Sequence, residues 1–394
     1  MTITTNRPTA PSSTATVAPP PIAAVDIVGC GVVSGAGIGL GPIASALTGS
    51  PKSSQWGGQV PEGYPPLPLR AASHFDPAAI LGCKGLSRMT RTDQLAIAAC
   101  TLALGNHAEM SPSRSGVVLG TSVGSTSAIS DFFRDTFDQD RPYLVNPSAF
   151  PGTLMNSAAG KAAIRHHLTG MNATVSGGPL ASLNAFRYAR TMLLTGRASR
   201  LLAGGVEELS PQAAWAWYGS QALLPGTMLG EGSAVFALEA RRPTGTEDSP
   251  AANAEPSLAR ILACEVGYAD TTRGALAVSA RLAECIGAAL TGSGVSTENV
   301  TVIAPGASAR RGWSAVEQRA LSRQLPAMAD RRVVHIGAVL GETFGASAAL
   351  QLAAVLALWQ APSTARSDQR VAVITSVGID GCVGCMVLTH PDFH

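Results

Sequence analysis

The run Asn172-Ala-Thr-Val-Ser-Gly-Gly-Pro-Leu-Ala-Ser-Leu183 passes from a strand through a glycine turn into a helix. Thr174 and Val175 are β-branched and favour extended backbone. Gly177 and Gly178 free the backbone at the turn. Pro179 suits the first turn of a helix, where its missing N–H has no partner to lose. Helical periodicity then continues to Leu194. The second half repeats the succession: a strand meets Gly341-Glu342-Thr343, and an apolar helix follows over residues 344–359. Each helix is later followed by a strand and a glycine turn, Ala203-Gly-Gly-Val206 and Ser376-Val-Gly-Ile379. A duplicated α/β half is the simplest reading.

Outward from these two points, strands alternate with helices. Strands are predicted at 24–34, 116–120, 172–176, 200–204 and 233–239, and again at 260–267, 300–304, 333–336, 371–375 and 385–388. Helices are predicted at 92–104, 132–143, 153–168, 180–194, 275–290, 314–325 and 344–359. This alternation predicts mostly parallel sheets covered on both faces. The division that follows is a Thr/Pro/Ser-rich disordered tail over 1–23, a first half over 24–240, a polar connection over 241–256 and a second half over 257–394.

Composition narrows the function classes. With 394 residues and 46% hydrophobic side chains, the chain can bury a large core. A formal net charge of +2 and no sustained basic run give no nucleic-acid or membrane-surface footprint. The tail lacks the apolar core of a signal peptide, and no stretch approaches the roughly 18 to 20 uninterrupted apolar residues of a membrane span. Seven scattered cysteines, most in apolar runs, predict buried structural thiols in a reducing, cytoplasmic setting. Cys382 and Cys385 form the one close pair, and neither a second pair nor a strand-to-helix context makes it a zinc or redox site. No metal and no cofactor are expected.

Six further segments, in order over about residues 24–390, resemble β-ketoacyl synthases. They are Ile27-Val-Gly-Cys-Gly-Val-Val-Ser34, the stretch from His74-Phe-Asp-Pro77 to Leu95, Pro151 to Gly160, Gly204-Gly-Val-Glu207, Gly230-Glu-Gly-Ser233 and Leu340 to Ala346. The resemblance implies a thiolase-like, five-layered αβαβα fold made of two duplicated halves, and a dimer. It also implies decarboxylative Claisen condensation on acyl carrier protein. That chemistry needs a thiolate at a helix N-terminus, two neutral histidines for the developing enolate oxygen and a lysine–glutamate pair.

On this resemblance the reactive positions are altered together. The cysteine position is Pro179, the first histidine Pro305, the second histidine Glu342 and the lysine Gly337, while the glutamate falls on Glu317. The gating loop reads Ser376-Val-Gly-Ile-Asp-Gly-Cys-Val383, with Ile379 where the family usually has phenylalanine. Ile379, Gly378, Phe150 and Met155 are the tunnel or gating candidates. No catalytic residue is assigned.

Other motifs carry weaker signals. Gly120-Thr-Ser-Val-Gly124 fits a nucleophile elbow at Ser122, whose acid and base would have to be Glu317 and His335. Gly35-Ala-Gly-Ile-Gly39 is only loosely a phosphate turn, and a solvent turn is the better reading. Glu342 reads either as a general base or as a carboxylate held by turn amides or by Arg310 or Arg311, and the second reading is preferred. Glu207 and Glu208, being adjacent, point different ways, so one is expected to be structural and one solvated. The tryptophans read as packing, tunnel or interface residues.

The expectation is a non-catalytic ketosynthase-like subunit in the role of a chain length factor, or ketosynthase-β. It would pair as a heterodimer with an active ketosynthase, alongside acyl carrier protein, in polyketide, polyene or fatty-acid-like biosynthesis. Its interface would take in residues 153–168 and 173–176, with 131–155 lining or closing an acyl tunnel. The alternatives are an acyltransferase on the same fold, using Glu342 or Ser176 without the Cys-His-His set, and a homodimeric scaffold that binds acyl carrier protein without catalysis.

Overall fold

A computed structural model describes residues 24–49, 60–105, 111–241, 256–307, 309–361 and 370–393. The expected tail over 1–23 and nearly all of the expected connection, 242–255, lie outside the described residues. Ten strands carry the architecture. They are β1 (Val25–Ser34), β2 (Ser115–Thr121), β3 (Asn172–Ser176), β4 (Arg200–Glu207), β5 (Gly232–Ala240), β6 (Ala259–Tyr268), β7 (Val302–Ala304), β8 (Arg332–Val333), β9 (Val371–Val377) and β10 (Cys382–Thr389). The helices used below are α1 (Leu40–Thr48), α2 (Arg91–Leu104), α3 (Thr126–Asp138), α4 (Ser157–Arg165), α5 (Ala181–Leu194), α6 (Pro211–Ser220), α7 (Ala275–Ser293), α8 (Trp313–Gln324), α9 (Ile336–Leu340) and α10 (Ser347–Gln360).

Strand order exposes the duplication. The first half runs β3-β2-β4-β5-β1 and the second β8-β7-β9-β10-β6, which is the same order twice. Antiparallel pairing of Val25–Ile27 with residues 259–261 joins them through β1 and β6. Among the described residues of this sheet, pairing is parallel toward the two outer ends, at β2–β3, β2–β4, β7–β8 and β7–β9. The central pairs are antiparallel, so the expectation of mostly parallel sheets is corrected. β9 and β10 meet through the short turn 378–381, and such a turn can return the chain only in the antiparallel sense.

The layers follow from alternation along the strands. In β5, Val235 and Ala237 face the outer cluster with α2 and α4, while Ala234, Phe236 and Leu238 face the centre. In β9, Val371 and Val373 join the cluster under α7 and α8, while Ala372 and Ile374 face the centre. Strands buried on both faces read as continuous apolar runs for this reason. α5 and α10 fill the space between the halves, which gives helix, sheet, helices, sheet, helix. α7 is long and apolar enough to cross a membrane by length and composition alone; Arg281 and Glu284 interrupt it, and it packs on β6 and β10.

Local corrections have local causes. The helix predicted over 153–168 is two pieces, Phe150–Thr153 and α4, with Leu154–Asn156 between them. The strand predicted over 333–336 is two residues long, because the chain turns at His335 into α9.

Two glycines let the central helices start close together. A Cβ on Gly120 would stand 2.3 Å from the Ala181 carbonyl carbon, and one on Gly205 would meet Ser182 Cβ at 2.6 Å and Gly345 O at 2.9 Å. The Ala349 amide of α10 donates to Ser182 Oγ of α5 at 3.2 Å, which satisfies one orphan donor of the buried helix start. Glu207 completes the joint, with its Oε2 accepting from Ser122 N and Gly345 N at 3.0 Å each. Glu208 accepts from Thr92 Oγ1, Ser125 Oγ and Ser127 N. Both carboxylates are buried, so the expectation that one is solvated is corrected. Three donors from α2 and the start of α3 replace water at Glu208.

Burial pushes the Glu207 pKa up to about 7 against the pull of its amide donors. The unfolded chain therefore ionises this group at lower pH than the folded one. Stability is lost as pH rises from the unfolded value through about 7, by about 3 kcal/mol for a shift of this size. Glu207→Gln keeps an acceptor for both amides and removes the titration. Its stability relative to wild type, from urea unfolding, is expected to rise between pH 5 and pH 8. Gly120→Val, which drives a side chain into the start of α5, is expected to cost about 3 kcal/mol or to leave the chain insoluble.

Candidate functional site

The glycine turn after β3 is built as the sequence implies. Gly178 adopts φ 50°, Pro179 sits in the single turn Gly178–Leu180, and α5 follows at once. Pro179 is half-buried at this helix start. A pyrrolidine ring has no ionisable group, so the dipole and amides there have no thiolate to stabilise.

The turn Phe344–Ala346 packs against the Pro179 turn, and β9 touches it as well. Glu342 enters from the short connection between α9 and this turn. Its backbone is fixed from both sides, with its N–H donating to Met228 O at 2.8 Å and its carbonyl accepting from Gly230 N at 2.9 Å. Its carboxylate is 3% exposed and faces Arg310, which is 1% exposed. Arg310 Nε donates to Glu342 Oε2 at 3.1 Å, and Nη2 donates to Glu342 Oε1 at 3.3 Å. The Phe344 amide donates to Glu342 Oε1 at 3.0 Å. Nη1 donates to Val377 O, and Nη2 also reaches Gly306 O at 3.5 Å. Of the two arginines weighed as partners, Arg310 makes this pair.

One guanidinium therefore ties together three segments: the loop after Pro305, the Glu342 connection and the end of β9. The bidentate fork suits a carboxylate, and the remaining donors are met by backbone carbonyls. A general base must have a lone pair free to take a proton. Glu342 instead lies in a neutralised, water-excluded pair.

Pro305 is buried at the end of β7. Beyond it, the Gly306 and Ala307 amides donate to the Glu317 carboxylate at 2.9 and 2.8 Å, and Thr375 Oγ1 donates at 2.6 Å. Burial raises the Glu317 pKa while these donors oppose the rise. Glu317 and Gly337 line one cavity with Pro305 and His335. Gln351 is a residue of this region that sequence reasoning does not assign. It is wholly buried in α10 and donates from Nε2 to Ala304 O at 2.6 Å and Thr375 O at 3.1 Å. Its signal was present, since Ser347 and Gln351 are the polar breaks in that apolar helix.

The remaining candidates do not converge here. Ile379 is exposed at the tip of the β9–β10 turn, and Gly378 closes that turn by donating to Cys382 O at 2.8 Å. Phe150 and Met155 are exposed near α3, with Phe150 against Phe132 at a centroid distance of 5.8 Å. Ser122 donates its amide to Glu207 and accepts from Ser176 Oγ at its carbonyl, while Glu317 is held by 306, 307 and 375. None of these bonds links Ser122, Glu317 and His335 into a triad. Burial pushes the Cys382 thiol up to about 11 and holds the Cys385 thiol well above the usual thiol range, which leaves both protonated. Among the described residues no group of three or more His, Cys, Asp or Glu could hold a metal ion.

Comparisons with known proteins bear on the family and the fold. The model of the family "Beta-ketoacyl synthase, N-terminal domain" matches residues 49–242. The chain is 27% identical over 187 residues to 3-oxoacyl-[acyl-carrier-protein] synthase 2 of Vibrio harveyi, which covers 42% of this chain and 45% of that one, so the match spans about half of that relative. A solved structure of the ishigamide ketosynthase/chain length factor is 33% identical, with a TM-score of 0.78 over 93% of this chain and 99% of that one. A type II PKS acyl-carrier protein in complex with its ketosynthase, at 17% identity and a TM-score of 0.76, shares the fold over 94% of this chain and 100% of that one. The chain belongs to the β-ketoacyl synthase family, with its thiolase-like fold.

Proposed function

We propose that this chain is a non-catalytic ketosynthase-like subunit that pairs with an active β-ketoacyl synthase in polyketide- or fatty-acid-type biosynthesis. The observation that carries the reading is the buried Arg310–Glu342 pair beside Pro305 and Pro179. Condensation needs a nucleophile to hold the acyl group and uncommitted donors for the enolate. Here the nucleophile position is a proline, one histidine position is a second proline, and the other is a carboxylate already bonded to a guanidinium.

The surface supports a partner. β3 is the last strand of its sheet, so one row of its backbone groups meets no other strand among the described residues. Exposed edges of this kind invite pairing with another chain. Beside it, Leu154, Met155 and Ile164 are exposed, and α3 presents Phe133 and Phe137 with no buried residue of its own. A surface this apolar fits an obligate subunit interface. The stretch 131–155 stands mostly exposed, which favours a tunnel contact made with a partner over one closed within this chain.

Co-expression with a type II ketosynthase that retains its catalytic cysteine and histidines, tested across candidates, is expected to give a 1:1 complex with one of them by native mass spectrometry. A stable homodimer that excludes every such ketosynthase contradicts the reading. Glu342→Gln separates it from the acyltransferase alternative. Leaving Arg310 short of its charge partner is expected to cost about 3 to 5 kcal/mol in urea unfolding. A variant that folds as well as wild type and loses acyl transfer shown by the chain alone supports the alternative.

A further inference from the structure

A cleft of about 600 Å³ opens beside the altered centre, a size at which small-molecule sites are common. Its deep side is apolar, formed by buried Pro305 and Leu321 and by Met228 and Val333. Its rim carries Ser314, Gln318 and His335, which can donate or accept hydrogen bonds. Glu317 and His335 are the ionisable groups among the described lining residues. Glu317 already accepts three hydrogen bonds from the protein. Burial holds the His335 pKa below the usual histidine value, so the ring is neutral at pH 8. Arg310, the nearby cation, is held by Glu342, Val377 O and Gly306 O.

We propose that this cleft binds an uncharged aliphatic molecule whose single polar end is a hydroxyl or amide. Apolar walls reward burial of a hydrocarbon body in proportion to its area. The rim groups can meet one neutral polar end. A carboxylate ligand would lose its hydration beside Glu317 with no Lys or Arg among the described lining residues to receive it, which disfavours free fatty acids.

The test is isothermal titration of the full-length chain at pH 8 with 1-decanol and, separately, with decanoate. The expected result is saturable one-to-one binding of 1-decanol and at least tenfold weaker binding of decanoate. Ala338→Trp, at an exposed lining position on α9, and Gln318→Trp, exposed on α8, are each expected to weaken 1-decanol binding at least tenfold with unchanged melting. Failure of 1-decanol to saturate, equal affinity for the two probes, or wild-type affinity in both folded variants overturns the proposal. None of these readouts requires a partner subunit.

Discussion

A guanidinium taken fully out of water needs a partner for its charge and for its N–H groups. At Arg310 those partners are Glu342, Val377 O and Gly306 O, and each belongs to a different segment of the second half. The loop after β7, the connection into α10 and the end of β9 are therefore positioned against one another. On the proposed reading, this closed electrostatic joint stands where the resemblance implies a synthase's reactive centre. Beside it, Glu317 gathers the 306 and 307 amides with Thr375, and Gln351 bridges Ala304 O to Thr375 O. The region is rigidly specified by polar contacts that are satisfied within the protein, with Gln351 Oε1 and Ser376 Oγ as exceptions.

The frame itself does not depend on the residues at those positions. The architecture rests on two copies of one strand order, on the apposed starts of α5 and α10, and on glycines at 120 and 205 that allow the approach. None of these features needs a thiol or an imidazole. Function in such folds resides in side chains set on a common frame.

Much of this was legible in the residues. Thr174 to Leu183 announced a strand, a turn and a helix, because β-branched residues, paired glycines and a first-turn proline each restrict the backbone in a known way. The prolines at 179 and 305, which carry no ionisable group, are legible in the same way, and the proposed loss of chemistry rests on them. Direction of pairing was harder to read, because strands buried on both faces look alike whether parallel or antiparallel. The role of Arg310 rather than Arg311 depends on which side chain turns inward, and adjacent residues leave that open. Glu208 looked like a solvated carboxylate because its donors, Thr92, Ser125 and Ser127, lie more than eighty residues away in sequence. Gln351 stood out in its helix, yet its acceptors come from β7 and the end of β9.

The central claim is that this chain does not form the carbon–carbon bond. The most direct measurement is decarboxylation of malonyl-acyl carrier protein by the purified chain, followed with intact-protein mass spectrometry after exposure to an acyl donor. The account predicts no carbon dioxide release above the protein-free rate and no acyl mass added to the chain. Catalytic carbon dioxide release, or a stable acyl adduct, would contradict it.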